Sequence, residues 1–162
     1  MFTLTRPDGY QISTDPTRLD LDRVHRWLAT DAYWAIGRER DIVEHAFAGS
    51  IGFGVYRPGD GQQVAVARVV TDRATFAWLC DVYVDRAERG RGLGSWLAGA
   101  VRDHLAELGV RRIVLATLDA HEVYAKVGFS PVEPDRWMQL DQRVSQITGK
   151  EQNPASPLTV EA

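Results

Sequence analysis

Apolar residues recur every third or fourth position in two early stretches of this chain. Leu21, Val24, Trp27 and Leu28 make one face of a helix entered through Pro16 and Thr17. Ile42, Val43, Ala46 and Phe47 make a face of a second helix, closed by Gly49, and Thr30 to Gly37 between the two reads as a loop. Short β-type runs then take over. An opening strand falls within residues 1–14, with Tyr10 to Thr14 as its core, and Ile51–Tyr56 and Gln63–Thr71 flank Arg57-Pro-Gly-Asp-Gly61 as a hairpin. Phe76–Val84 is the next strand. In an ideal pleat Phe76, Trp78, Cys80, Val82 and Val84 share one face, and Leu79, Asp81 and Tyr83 the other.

Helical spacing returns at Leu93, Leu97, Val101, Leu105 and Leu108, a stripe that stops at Gly109. Arg111–Thr117, with Ile-Val-Leu-Ala at its centre, reads as a buried strand. Ala120–Val127 reads as a short helix ending at Gly128, Phe129 as the start of another strand, and Trp137–Leu140 as the last one. Periodicity is lost after about Arg143. The pattern predicts one domain over residues 1–142 and an irregular tail over 143–162. Two helices, a hairpin and then alternating strands and helices predict an α/β (α+β) fold, a mixed sheet with helices on both faces.

Composition narrows the function classes. A length of 162 residues suits one domain with a real core, and a net charge of −3 argues against a nucleic-acid surface as the main function. Cys80 is the only cysteine, so neither a disulfide framework nor a thiolate metal cluster is expected. His25, His45, His104 and His121 lack metal-ligand spacing, and no metal is expected. With no apolar run of membrane length and no basic, apolar leader, the cytoplasm is the default compartment and no membrane partner is expected.

The chemistry concentrates after the Phe76–Val84 strand, in Asp85-Arg-Ala-Glu-Arg-Gly-Arg-Gly-Leu-Gly-Ser95. Gly90, Gly92 and Gly94 clear side chains from a turn that opens a helix. The unpaired N–H groups and positive dipole end of that helix face the same point, with Arg86, Arg89 and Arg91 around it. That is an anion cradle suited to phosphates, or else a tight turn with no ligand. A Walker A loop is excluded because Gly94 precedes Ser95-Trp96 instead of Lys-Ser/Thr, and the Rossmann pattern breaks at its last glycine.

Arg89-x-x-Gly92-x-Gly94, directly after Val82-Tyr83-Val84, resembles motif A of the GCN5-related N-acetyltransferase (GNAT) family. A second element supports it: Tyr124-x-x-x-Gly128-Phe129 resembles the end of the family's motif B, with Ala120 at its small-residue position. The resemblance covers roughly residues 50–140. It implies a mostly antiparallel sheet of six to seven strands and acetyl-coenzyme A (acetyl-CoA) as co-substrate. By the same resemblance Val82, Tyr83, Val84, Arg89, Gly90, Arg91, Gly92, Leu93, Gly94, Ser95 and Thr117 bind the cofactor, and Tyr124 is the hydroxyl that meets the departing thiolate. Thr117 stands where many relatives carry asparagine.

Acetyl transfer to an amine needs a deprotonated nitrogen, a fixed donor for the oxyanion, and relief for the thiolate. The family's usual base positions are apolar here. Three local candidates remain: Asp81, Asp119 and His121. Each has a plainer alternative, namely an arginine partner for Asp81, a capping box of Asp119 with Glu122, and a solvent-exposed first-turn histidine. Water could also carry the proton. Cys80 reads as a packed small hydrophobe, not a nucleophile, so direct transfer without a covalent enzyme intermediate is expected. Tyr33 and Trp34 sit where the family shapes its acceptor pocket, and the expected acceptor is a primary amine on a small molecule. Transfer to a protein N-terminus or lysine is the alternative within the enzyme class, and a non-catalytic acyl-CoA sensor the alternative outside it. Dimerisation, through Trp137 or the Tyr33-Trp34 loop, stays open.

Overall fold

The period-two runs become six strands and the three- and four-residue spacings become four helices. This computed structural model describes residues 1–141. In chain order these are β1 (Thr3–Thr5), β2 (Gln11–Ser13), α1 (Leu21–Thr30), α2 (Arg40–Ala48), β3 (Ile51–Tyr56), β4 (Gln63–Thr71), β5 (Phe76–Val84), α3 (Leu93–Glu107), β6 (Arg112–Val114) and α4 (His121–Ala125). The sheet runs in the order β1-β2-β3-β4-β5-β6, antiparallel throughout except for the parallel pair β5–β6. The opening strand is therefore two strands, β1 and β2, turned back on each other with Leu4 opposite Ile12.

Two apolar layers flank the sheet. On one face α3 buries Leu93, Leu97, Val101 and Leu105 against Phe53, Val55, Ala65, Ala67, Ala77 and Leu79. Each fully buried leucine contributes about 1.5–3 kcal/mol. On the other face Val24, Trp27 and Leu28 of α1 meet Val43 and Phe47 of α2 over Val66 and Tyr83. Asp20 starts α1 by accepting the Arg23 N–H at 2.9 Å.

Four expectations need correction. Ile42 is 53% exposed, so the buried face of α2 is carried by Val43 and Phe47 alone. Leu108 lies beyond the last turn of α3 and is 40% exposed, because Gly109 at φ +85° turns the chain away. The strand expected over Arg111–Thr117 pairs only at Arg112–Val114. No strand forms at Phe129 or at Trp137–Leu140, where a single 3-10 turn, Pro134–Arg136, is the regular element. Pro131 and Pro134 lack the N–H groups a ladder needs.

The chain divides into two compact units, residues 1–130 and 131–162. The first holds every helix and strand named above, while the described part of the second contains the 3-10 turn and an Arg136–Glu133 ion pair at 2.7 Å. The expected tail, residues 143–162, lies outside the described residues. No helix among the described residues is long and apolar enough to cross a membrane.

Candidate active site

The parallel ladder between β5 and β6 runs Phe76–Arg112, Ala77–Ile113, Trp78–Val114 and then ends, while β5 continues to Val84. From Leu79 onward the edge of β5 that faced β6 has no strand partner among the described residues. Main-chain groups in such a gap are free to bind an extended ligand. The opposite edge of β5 keeps its ladder with β4, but with an irregularity. Val66 pairs with Tyr83 and Arg68 with Cys80, so β5 carries one extra residue between them. That residue count is a β-bulge, and Asp81 sits in it with φ +47°.

The bulge corrects the expected pleat. Ala77 and Leu79 face the α3 layer, but after the extra residue Val82 and Val84 face it too. Asp81 and Tyr83 turn toward α1 and α2, so Leu79 does not share their side.

The glycine turn leads straight into α3. Gly90 and Gly92 hold φ +80° and +72°, and a Cβ at either would meet nothing within 4 Å. Gly92 is the N-cap of α3 and no side chain caps the helix. Open space, an uncapped helix start of 15 residues and backbone N–H groups with no side-chain acceptor fit a phosphate group. The arginines behave differently from one another. Arg89 bends back, giving its Nε to the Val84 carbonyl at 3.0 Å and lying 5.3 Å from the Tyr83 ring centroid. Arg86 binds Asp31, which also accepts the Tyr83 hydroxyl at 2.5 Å. Arg86 first, then the Tyr83 phenol, hold the Asp31 carboxyl well below the ordinary carboxylate range. Burial, with Asp31 adding to it, pushes the Tyr83 phenol up to about 12. Arg91, 58% exposed, meets Glu88 at 3.2 Å. Glu88 is itself buried beneath the turn, accepting from the Tyr10 hydroxyl at 2.5 Å and Arg57 Nη1 at 3.0 Å.

On the α1–α2 side Asp81 is 5% exposed. Its Oδ1 accepts from Arg38 Nη1 at 2.9 Å and Trp34 Nε1 at 3.2 Å, and its Oδ2 from Arg68 Nε at 2.7 Å. Burial works against its charge, but Arg68 and then Arg38 outweigh it, and the carboxyl ends below its ordinary value. A carboxylate held this way is a poor proton acceptor, which favours the ion-pair reading of Asp81 over the base. Trp34 also packs edge-on against Tyr33, centroids 4.9 Å apart, and the Tyr33 hydroxyl accepts the Leu118 N–H at 3.2 Å. The loop carrying Tyr33, Trp34 and Arg38 thus ties Asp81 on β5 to the segment that follows β6.

Tyr124 lies on α4, half-buried, its ring 5.8 Å from that of Phe129. Burial, helped by Tyr33 and Asp119, pushes its phenol up to about 12. His121 and Asp119 are both exposed. Asp119 forms no capping box, because Ala120 is the N-cap of α4 without a side-chain bond, and Thr117 Oγ1 instead takes the Ala120 N–H at 3.1 Å. Cys80 gives its Sγ–H to the Arg68 carbonyl at 3.4 Å, and burial pushes its thiol up to about 11.

Comparison with known proteins gives this geometry a family. A sequence profile described as the Acetyltransferase (GNAT) family matches residues 21–129. The chain belongs to the GNAT acetyltransferases. A Gibberella zeae protein assigned to the acetyltransferases is 31% identical over 149 residues, covering 78% of this chain and 84% of its own. The crystal structure of a GNAT-family protein from Xanthomonas campestris is 42% identical with a TM-score of 0.76, over 82% of this chain and 93% of that one. A Clostridium acetobutylicum acetyltransferase structure with acetyl-CoA shares the fold at a TM-score of 0.64 and 16% identity, over 84% of this chain and 97% of that one.

As a GNAT acetyltransferase, the chain is an N-acetyltransferase whose glycine turn, split strands and Tyr124 lie in one connected region. Sequence reasoning placed these elements but passed over four residues that shape the region: Asp31, Arg38, Arg68 and Glu88. Glu88 carried a faint signal, since it sits inside the basic turn among three arginines. Arg38 and Arg68 carried none, because their partner Asp81 is 43 and 13 residues away.

Proposed function

We propose that this enzyme moves the acetyl group of acetyl-CoA directly to the primary amine of a small molecule. The observation that carries the reading is the gap between β5 and β6, followed by the uncapped start of α3, with Tyr124 packed in the same apolar cluster as Val82, Val84 and Leu93. Main-chain N–H groups of Gly90 to Ser95 hold the pyrophosphate, with Arg91, an exposed cation paired to Glu88, beside them. Arg89 supports the turn by fastening it to the Val84 carbonyl. The freed edge of β5 from Leu79 to Val84 aligns the pantetheine arm and supplies an N–H toward the developing oxyanion. The bound co-substrate contributes an acetyl group activated as a thioester.

Tyr124 works as a hydrogen-bond donor. With its phenol at about 12 and an ordinary thiol near 8.5, full proton transfer to sulfur would be uphill by about 3.5 units, roughly 5 kcal/mol. Donation without transfer stabilises the departing thiolate and keeps Tyr124 neutral across the working pH range. Since Asp81 is engaged by two arginines, the amine loses its proton at the exposed lip of the site, to His121 or to water.

Calorimetric titration with acetyl-CoA, paired with thiol-release assays over an amine panel, tests this. Binding at sub-millimolar concentration together with amine-dependent thiol release is the expected result. Binding without release for any amine would leave an acyl-CoA sensor in its place, and no binding would overturn the cradle.

A further inference from the structure

We infer that the acceptor amine carries a compact acidic group, a carboxylate or a phosphate, and that Arg38 together with Arg68 reads it. The inference rests on the acetyltransferase reading above and names its substrate class. Two guanidinium groups converge on one carboxylate at Asp81, which leaves one positive charge over. Among the described residues no other carboxylate pairs with either guanidinium: Asp20 pairs with Arg23, and Asp22 and Glu44 share Arg40. Asp41 accepts the N–H of Ile42.

Donor capacity is left over as well. Arg68 uses Nε on Asp81 and Nη1 on Ser50 Oγ at 3.2 Å, and Arg38 uses Nη1 on Asp81. Among the described residues Nη2 of each guanidinium has no acceptor. The Arg38 side chain is 22% exposed and that of Arg68 15%, so neither is sealed in the core. Asp81 splints the pair. Its place in the bulge of β5 aims it at both arginines, and the Trp34 indole gives its Oδ1 a second donor. An arginine pre-oriented in this way presents a planar fork to a carboxylate or phosphate oxygen pair. The same positive surplus favours the neutral form of a nearby amine, which lowers the demand for a dedicated base. Trp34, bonded to Asp81, and Tyr33 packed on it are 39% and 48% exposed and offer aromatic surface beside this fork for the body of the molecule.

The test is acetyl-transfer kinetics on pairs of acceptors matched except for the acidic group, with kcat/KM expressed per neutral amine so that the differing amine basicity cancels. Phenylalanine against phenylalaninamide probes carboxylates, and O-phosphoethanolamine against ethanolamine probes phosphates. The acidic member of at least one pair should have the higher kcat/KM by about 10- to 100-fold, mostly through acceptor KM. Which pair shows the preference separates carboxylate from phosphate. In Arg38→Gln that preference ratio should fall toward one, with Arg38→Lys recovering part of it and the calorimetric affinity for acetyl-CoA unmoved. Neutral members acetylated as well as or better than acidic ones would overturn the inference while leaving the transferase reading intact. An undiminished preference in Arg38→Gln would overturn it too. No transfer to any amine, despite acetyl-CoA binding, would remove both readings together.

Discussion

At the proposed cofactor end the working groups are main-chain N–H groups of one continuous segment, residues 90–95, whereas at the acceptor end they are side chains drawn from three segments, Arg38, Arg68 and Asp81. The first needs only φ values that glycine supplies and a helix that starts without a cap. The second needs a strand with one residue too many, so that a carboxylate turns out of the α3 layer and into the path of two arginines. A backbone cradle accepts any ligand with the right phosphate, while a side-chain cluster selects by charge. On the proposed roles, the contrast separates the shared part of the reaction from the part that chooses a substrate.

The largest expected effect breaks the backbone half. Gly92→Asp puts a Cβ on a residue at φ +72° and a negative charge at the start of α3. Backbone strain of about 1–2 kcal/mol plus repulsion of the pyrophosphate should weaken acetyl-CoA binding by roughly 100-fold or more in calorimetry, with the circular dichroism of the fold retained. An affinity within a few-fold of wild type would mean the turn is not the cradle.

Next comes the side-chain half. Asp81→Ala leaves two guanidinium groups without their carboxylate and should cost about 3–5 kcal/mol, a fall in Tm of roughly 10 °C. Asp81→Asn should fall less, because asparagine tolerates the left-handed backbone and keeps an oxygen acceptor. Equal losses in the two variants would show that the charge, not the geometry, holds the cluster.

How much of this was legible beforehand follows from the same contrast. The cradle is a local string, and Gly90, Gly92, Gly94 and the strand before them can be read from spacing alone. Tyr124 with Gly128-Phe129 is equally local. The acceptor cluster is not, since nothing near Arg38 or Arg68 in the chain marks them as partners of Asp81. The bulge was also hidden: Phe76–Val84 alternates well enough to pass as a regular strand, and only pairing with β4 reveals the extra residue. The missing final strands have a simpler cause. Apolar residues at Trp137, Met138 and Leu140 resemble a strand, but Pro131 and Pro134 interrupt the ladder ahead of them.

Two smaller tests sharpen the comparison. Tyr124→Phe should lower kcat on the order of 100-fold with little change in acetyl-CoA affinity, since the lost hydrogen bond strengthens as the thiolate leaves. A loss confined to KM would instead mark the ring as a binding surface. Acid should find the Asp81 cluster as well. Its folded pKa lies below the unfolded one, so the stability it adds is complete above about pH 4 and drains away as pH falls below that. Urea midpoints of wild type should therefore drop more steeply below about pH 4 than those of Asp81→Asn. The smallest effect is Thr117→Ala, which removes the acceptor of the Ala120 N–H and should cost about 1 kcal/mol in urea unfolding.

Cys80 has a practical consequence. With its thiol pushed up to about 11, roughly one molecule in a thousand carries the thiolate at pH 8, and the hydrogen is already given to the Arg68 carbonyl. The folded chain should therefore react slowly with thiol reagents. A colorimetric reagent added to a running reaction would count released coenzyme with almost no protein background.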